Sequence, residues 1–146
     1  MFFEFLPNKL FSYCFALKET YMRYYLKNEI LFIQTIHSES SKLDGTFKFK
    51  SDFRTACALM SFCDCFLGWE GGFSHAAAAL NKKAVVLFGG WIHPKVTGYK
   101  SHENIYFDHP KSPCGSVGYI CDHCEEARRS INVNYVYDKV ISILSI

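Results

Sequence analysis

Glu70, Gly71, Gly72 and His75 stand together in the stretch "CFLGWEGGFSHAAAALNKKAVVLFGG", residues 65 to 90. An apolar run ends there, and an alanine-rich segment begins. These residue types suit a phosphorylated, hydroxyl-rich ligand. A carboxylate accepts hydrogen bonds from sugar hydroxyls, and glycines permit positive φ and close approach to the backbone. The N-terminus of a helix turns free N–H groups and the positive end of its dipole toward phosphate. His75, one turn in, can donate to a phosphate oxygen or protonate a leaving group. The plainer alternative is an ordinary strand-to-helix turn with a partly buried histidine, because short glycine motifs recur by chance.

A second group is Cys114, Cys121 and Cys124, with His109 and His123 nearby. The Cys-x-x-Cys at 121 to 124 has zinc-ligand spacing, but structural zinc takes four ligands and a second well-spaced pair is missing. No metal and no other cofactor is therefore expected, with Cys114, Cys121 and Cys124 as the candidate ligands if one binds. Thiol redox is disfavoured, because this Cys-x-x-Cys is not read as opening a helix after a strand. Within the loop read over 91 to 104, Trp91, His93, Thr97, Tyr99 and His102 could close over a ligand, with Thr97 and Gly98 as the leading contacts. Arg54, near a helix start, reads as a solvated surface arginine.

These groups need elements to position them. "EILFIQTI" (Ile30 to Ile36), "CFLG" and "AVVLFGG" are short, almost continuous apolar runs, the pattern of buried strands. Ser51 or Asp52 can cap a helix through about Phe62, with Phe53, Ala56, Cys57 and Met60 on one face. "FSHAAAALN" reads as a helix ended by Asn81, "IYF" as a short strand, and "NVNYVYDKVISIL" as a helix capped by Asn132 with Val136, Val140, Ile141 and Leu144 inward. Residues 8 to 27 read as an aromatic helix from Asn8, on the spacing of Leu10, Cys14, Leu17, Tyr21 and Tyr24. "HSESSKLDGTFKFK" reads as a loop, and "DHPKSPCGSVGYICDHCEE" as irregular. Strands alternating with helices predict an α/β fold, a parallel sheet packed between helices, with ligands at the carboxyl ends of the strands. The expected division is an N-terminal helical part, residues 1–29, and an α/β domain, residues 30–146.

Composition narrows the function classes. The chain of 146 residues is 49% hydrophobic and 21% charged, which is globular, and it can bury a core without staples. A net charge of +2 without any basic block argues against nucleic acid as a partner. Seven cysteines, several inside apolar patterns, suit a reducing compartment. With no apolar run of spanning length, and with the opening "MFFEFLPNKLFSYCFAL" broken by Glu4, Pro7 and Lys9 and lacking a basic n-region, neither a membrane span nor a signal peptide is read, and the protein is expected in the cytoplasm. For the N-terminal aromatic segment, core packing or a partner interface is favoured over peripheral membrane contact, because it lacks a Lys/Arg-rich face.

The stretch "LGWEGGFSHAAAALNKKAVVLFGG" resembles the signature of glycosyltransferase family 9, the heptosyltransferase-like enzymes of lipopolysaccharide assembly. The likeness runs in order through "FRTACALMSFCDCFLG", "HPKVTGYKSHENIY", "PCGSVGYICDHC" and "INVNYVYDKV", over roughly residues 30 to 145. It implies a Rossmann-like domain, similar to the C-terminal half of a GT-B glycosyltransferase, which holds a nucleotide-diphosphate sugar, typically an ADP-sugar. By this resemblance Glu70 contacts the donor sugar, Gly71 and Gly72 cradle the diphosphate, and Ser74 and His75 lie beside it, with His75 as the catalytic candidate. Gly71 departs from the Ser or Thr usual at that position. The acceptor, a glycan or glycolipid, and the general base belong to an N-terminal domain in this family, so transfer is expected to need a separate domain of that kind. Two alternatives stand beside this: a nucleotide-binding or interaction module without catalysis, and a small zinc-stabilised structural domain.

Overall fold

The computed structural model describes residues 13–18, 30–36, 46–116 and 121–144. Alternation along two buried strands explains its layering. In Cys65–Trp69 and Lys83–Phe88, Cys65, Leu67, Val85 and Leu87 face one side, while Phe66, Ala84, Val86 and Phe88 face the other. A strand apolar on both faces must lie between two covering layers.

The sheet has six strands: β1 (Tyr13–Lys18), β2 (Ile30–Ile36), β3 (Phe47–Lys50), β4 (Cys65–Trp69), β5 (Lys83–Phe88) and β6 (Glu103–Tyr106). Their spatial order is β3-β2-β1-β4-β5-β6. The helices are α1 (Phe53–Phe62), α2 (Gly72–Ala79), α3 (Pro94–Thr97), α4 (Asp122–Arg129) and α5 (Val133–Leu144). Helix α5 covers one face with Val136, Val140 and Leu144, all buried. Met60 of α1 and Ala77 of α2 cover the other, packed with Ile33, Phe66 and Phe88. Each such fully buried Val, Leu or Phe contributes about 1.5–3 kcal/mol of transfer free energy. Ala77 and Ala84 are fully buried, and their small side chains let α2 lie close on the sheet.

Local capping follows the expected chemistry. The Asp52 carboxylate accepts from the Thr55 amide at 2.7 Å, and Asn132 Oδ1 accepts from the Asn134 and Tyr135 amides at 2.9 and 3.3 Å. Asn81, just past α2, takes φ 52°, a conformation asparagine tolerates.

Several expectations are corrected. Within the span 8 to 27 read as a helix, residues 13–18 form β1; the rest of that span lies outside the described residues. β1 pairs antiparallel with β2, from Tyr13↔Thr35 to Lys18↔Ile30, and with β4, from Cys14↔Leu67 to Ala16↔Cys65. Hydrogen bonds along both edges outweigh a local spacing that imitates a helix. The boundary expected at residue 30 therefore falls inside the sheet, and the sheet is mixed, since β1 alone runs against its neighbours. The loop read through "FKFK" ends as β3, parallel to β2. The irregular cysteine-bearing segment contains α4, and the 91 to 104 loop contains α3. Among the described residues, no helix is long and apolar enough to cross a membrane.

Candidate functional site

β4, β5 and β6 run parallel, so their carboxyl ends share one edge. From β2 the chain steps to β3 in one direction, and from β4 to β5 and β6 in the other. In open α/β sheets ligands bind outside the carboxyl ends of the strands, where the strand order diverges. The turn from β4 into α2 lies at this place.

Leaving β4, the Glu70 amide still donates to Leu87 O at 2.9 Å. No hydrogen bond or ion pair among the described residues engages the half-buried Glu70 carboxylate. Gly71 adopts φ 151° and ψ −163°, a region open essentially to glycine alone. That explains why no hydroxyl-bearing residue stands here. Ser74 is buried, and its hydroxyl donates to Gly71 O at 2.8 Å while accepting from the Gly71 amide at 3.2 Å. The Ser74 side chain is thus committed to shaping the turn. At the start of α2 the Ser74 and His75 amides donate to Gly71 O at 3.0 and 3.3 Å, the bonds that close its first turn. A Cβ built on Gly72 would meet only the Phe53 ring, at 3.5 Å.

His75 is exposed, and its Nδ1 lies 2.9 Å from the Tyr99 hydroxyl, with the rings edge-on at 5.7 Å. Tyr99 is held in turn: its carbonyl accepts from Asn104 Nδ2 at 2.8 Å, and its ring lies 5.3 Å from that of His102. His102 is buried, and burial pushes its pKa below the ordinary histidine value. The structure therefore brings His75 and Tyr99 together across the loop. The Thr97 hydroxyl is buried without a partner among the described residues. A Cβ on Gly98 would come 2.5 Å from Pro94 O, so glycine at 98 serves the tight close of α3. His93 caps α3, accepting from the Lys95 amide at 3.0 Å, and lies against Tyr106. Trp91 and Arg54 are exposed.

Arg128 gave no sequence signal. It comes from α4, lies largely buried beside Gly89, and places its guanidinium 4.8 Å from the Trp69 ring centroid, one residue before Glu70. The pattern that could have found α4 is its charge order, Asp122 and Glu125 in the first turn and Arg128 and Arg129 in the last, which complements the helix dipole.

Two groups of cysteines contrast among the described residues. Burial pushes Cys63 up to about 11 and Cys65 up to about 12, so these are inert core thiols. Cys114, Cys121 and Cys124 converge instead, with Sγ atoms 3.3 Å (114–124), 3.7 Å (114–121) and 3.3 Å (121–124) apart. Desolvation opposes ionisation of Cys114, but hydrogen bonds from Ser116 and the two neighbouring thiols bring it down to about 6. Burial, then the two adjacent sulfurs, raise Cys124 to about 12. His123 Nδ1 lies 3.0 Å from Cys121 Sγ. His109 stacks on His123 at 5.5 Å and meets Glu126 at 3.3 Å. Cys121 caps α4, so the Cys-x-x-Cys does open a helix, contrary to the sequence reading.

A protein-family model described as glycosyltransferase family 9 (heptosyltransferase) matches residues 36–123, more than half of the chain. No curated protein and no solved structure matches.

Proposed function

The chain belongs to glycosyltransferase family 9, and on that premise we propose that the β4–α2 turn holds a nucleotide-diphosphate sugar. The donor is an ADP-sugar such as ADP-heptose, and the acceptor a hydroxyl of a lipopolysaccharide-type or other glycan. The observation that carries this reading is the Gly71 backbone, whose φ of 151° turns the chain abruptly into α2 at the carboxyl end of β4. It leaves the helix N-terminus beside an unengaged Glu70 carboxylate and the His75–Tyr99 pair.

In the reaction an acceptor oxygen attacks the sugar's anomeric carbon and the bond to the diphosphate breaks. Charge then grows on the departing phosphate oxygen. The positive end of the α2 dipole and a donating His75 oppose that charge, which is the electrostatic part of catalysis. Tyr99, bonded to Nδ1, fixes the ring so that Nε2 faces the ligand. Glu70 accepts from the sugar hydroxyls, Ser74 sets the turn, and Thr97 and Gly98 shape the loop that covers the donor. The general base and the acceptor site come from a separate domain, and a soluble donor of this kind places the reaction in the cytoplasm.

Calorimetric titration with ADP and with an ADP-sugar tests this. Glu70→Ala should weaken the ADP-sugar by about tenfold and leave ADP unchanged, while His75→Ala should weaken both, as loss of a hydrogen bond to a charged group predicts. If neither ligand binds the wild-type chain, or both variants bind as it does, the donor site lies elsewhere.

A further inference from the structure

We propose that Cys114, Cys121, His123 and Cys124 bind a single zinc ion, which ties the segment after β6 to the start of α4. The ligand atoms of these residues all lie within 4.8 Å of one another. A tetrahedral zinc with bonds to sulfur of about 2.3 Å has sulfur–sulfur edges of about 3.8 Å. The three sulfurs here, 3.3 to 3.7 Å apart, stand slightly inside that spacing and well beyond the roughly 2.05 Å of a disulfide. Three soft thiolates and an imidazole select zinc over the oxygen-seeking divalent cations. All four positions are filled by protein, which makes the site structural and leaves none for substrate.

The surroundings are built for it. The Ser116 amide donates to Cys114 Sγ at 3.3 Å, a contact that orients a coordinating thiolate. His109 stacks on the outer side of His123 and is itself held by Glu126. The Cys114 amide donates to Gly90 O and the Gly115 amide to Trp91 O, both at 3.0 Å. A Cβ on Gly90 would come 2.9 Å from Ser112 Oγ and 3.2 Å from Cys124 Cα, so the end of β5 presses directly on the cluster. Zinc here anchors the backbone around Cys114 against the sheet edge that carries the β4–α2 turn. The site depends on no assumption about the nucleotide ligand.

The test uses the full chain, purified under reducing conditions without added metal. Elemental analysis should find zinc in equimolar amount, retained through dialysis, and cobalt exchange should give the visible spectrum of a tetrahedral thiolate site. Cys124→Ser and His123→Ala should lose that spectrum, while Cys57→Ser keeps it. If those variants do not fold, the wild-type chain still decides. Its Cys114, Cys121 and Cys124 should be alkylated more than about tenfold more slowly before a strong chelator than after it, with Cys57 unaffected. Chelator-independent alkylation without a cobalt spectrum overturns the proposal, and so does a disulfide within the trio in freshly reduced protein.

Discussion

Two adjacent glycines should respond oppositely to the same substitution. Gly71 sits at φ 151°, ψ −163°, where a side chain costs on the order of 1–3 kcal/mol. For a chain of this size about 1 kcal/mol moves Tm by roughly 2–5 °C, so Gly71→Ala should unfold about 2–15 °C below wild type. Gly72 is not at positive φ, and a Cβ there makes an ordinary 3.5 Å contact with Phe53. Its replacement by alanine restricts the unfolded chain and should be neutral or stabilising, by up to about 1 kcal/mol. Binding separates them differently. On the proposed function a diphosphate passes over Gly72, so the added methyl should weaken ADP at least about tenfold, or ~1.4 kcal/mol, without loss of stability. Gly71→Ala should lose both. Differential scanning calorimetry and ADP titration on the pair read out all of this. A Gly71→Ala protein melting at the wild-type temperature would refute the turn geometry. Undiminished ADP affinity in Gly72→Ala would refute the cradle.

Tyr99→Phe removes only the hydroxyl bonded to His75 Nδ1. Its effect on Tm should be small, because an exposed hydrogen bond contributes about 1 kcal/mol or less, whereas ADP affinity, read by calorimetric titration, should fall several-fold. Burial lowers the folded-state pKa of His102, so the unfolded chain takes up its proton first as the pH drops below 6.5. The stability that neutral, buried His102 protects is therefore full above pH 6.5, declines as the pH falls toward the lower folded value, and then levels off. Urea titrations across that range should show a shallower slope in His102→Phe than in wild type; equal slopes would remove His102 as the cause.

Much of the fold was legible because it is written in burial. β4, β5 and the first four residues of β2 are apolar in succession, and α1 and α5 repeat their apolar groups at helical spacing, so each pattern admits one reading. β1 did not, because "YCFALK" suits either a strand or a helix and is decided by partners distant in sequence, Ile30–Thr35 and Cys65–Leu67. β3 alternates Phe47 and Phe49 with Lys48 and Lys50, a period-two signal too short to stand against the turn before it. At the candidate site, Gly71, Gly72 and His75 were visible as types, but the partner of His75 was not, since Tyr99 reaches it from a separate loop. The inward commitment of Ser74 and the presence of Arg128 beside Trp69 likewise follow from tertiary packing. The cysteine cluster was short of a ligand only on paper: His123 lies between Cys121 and Cys124, and folding brings Cys114 to it.

The position of β1 has a consequence for shortening the chain. It lies between β2 and β4 and donates to and accepts from both, so it is the seam of the sheet and not a trim at its margin. A fragment cut to residues 36–123 would lack that seam and most of β2. It would expose the flank of β4, whose Cys65, Phe66 and Leu67 are buried in the intact chain. An uncovered apolar strand edge recruits other chains. The segment matched to the family thus depends for its solubility on residues that precede it, and a nucleotide-binding assay on the trimmed piece would report aggregation before it reported affinity.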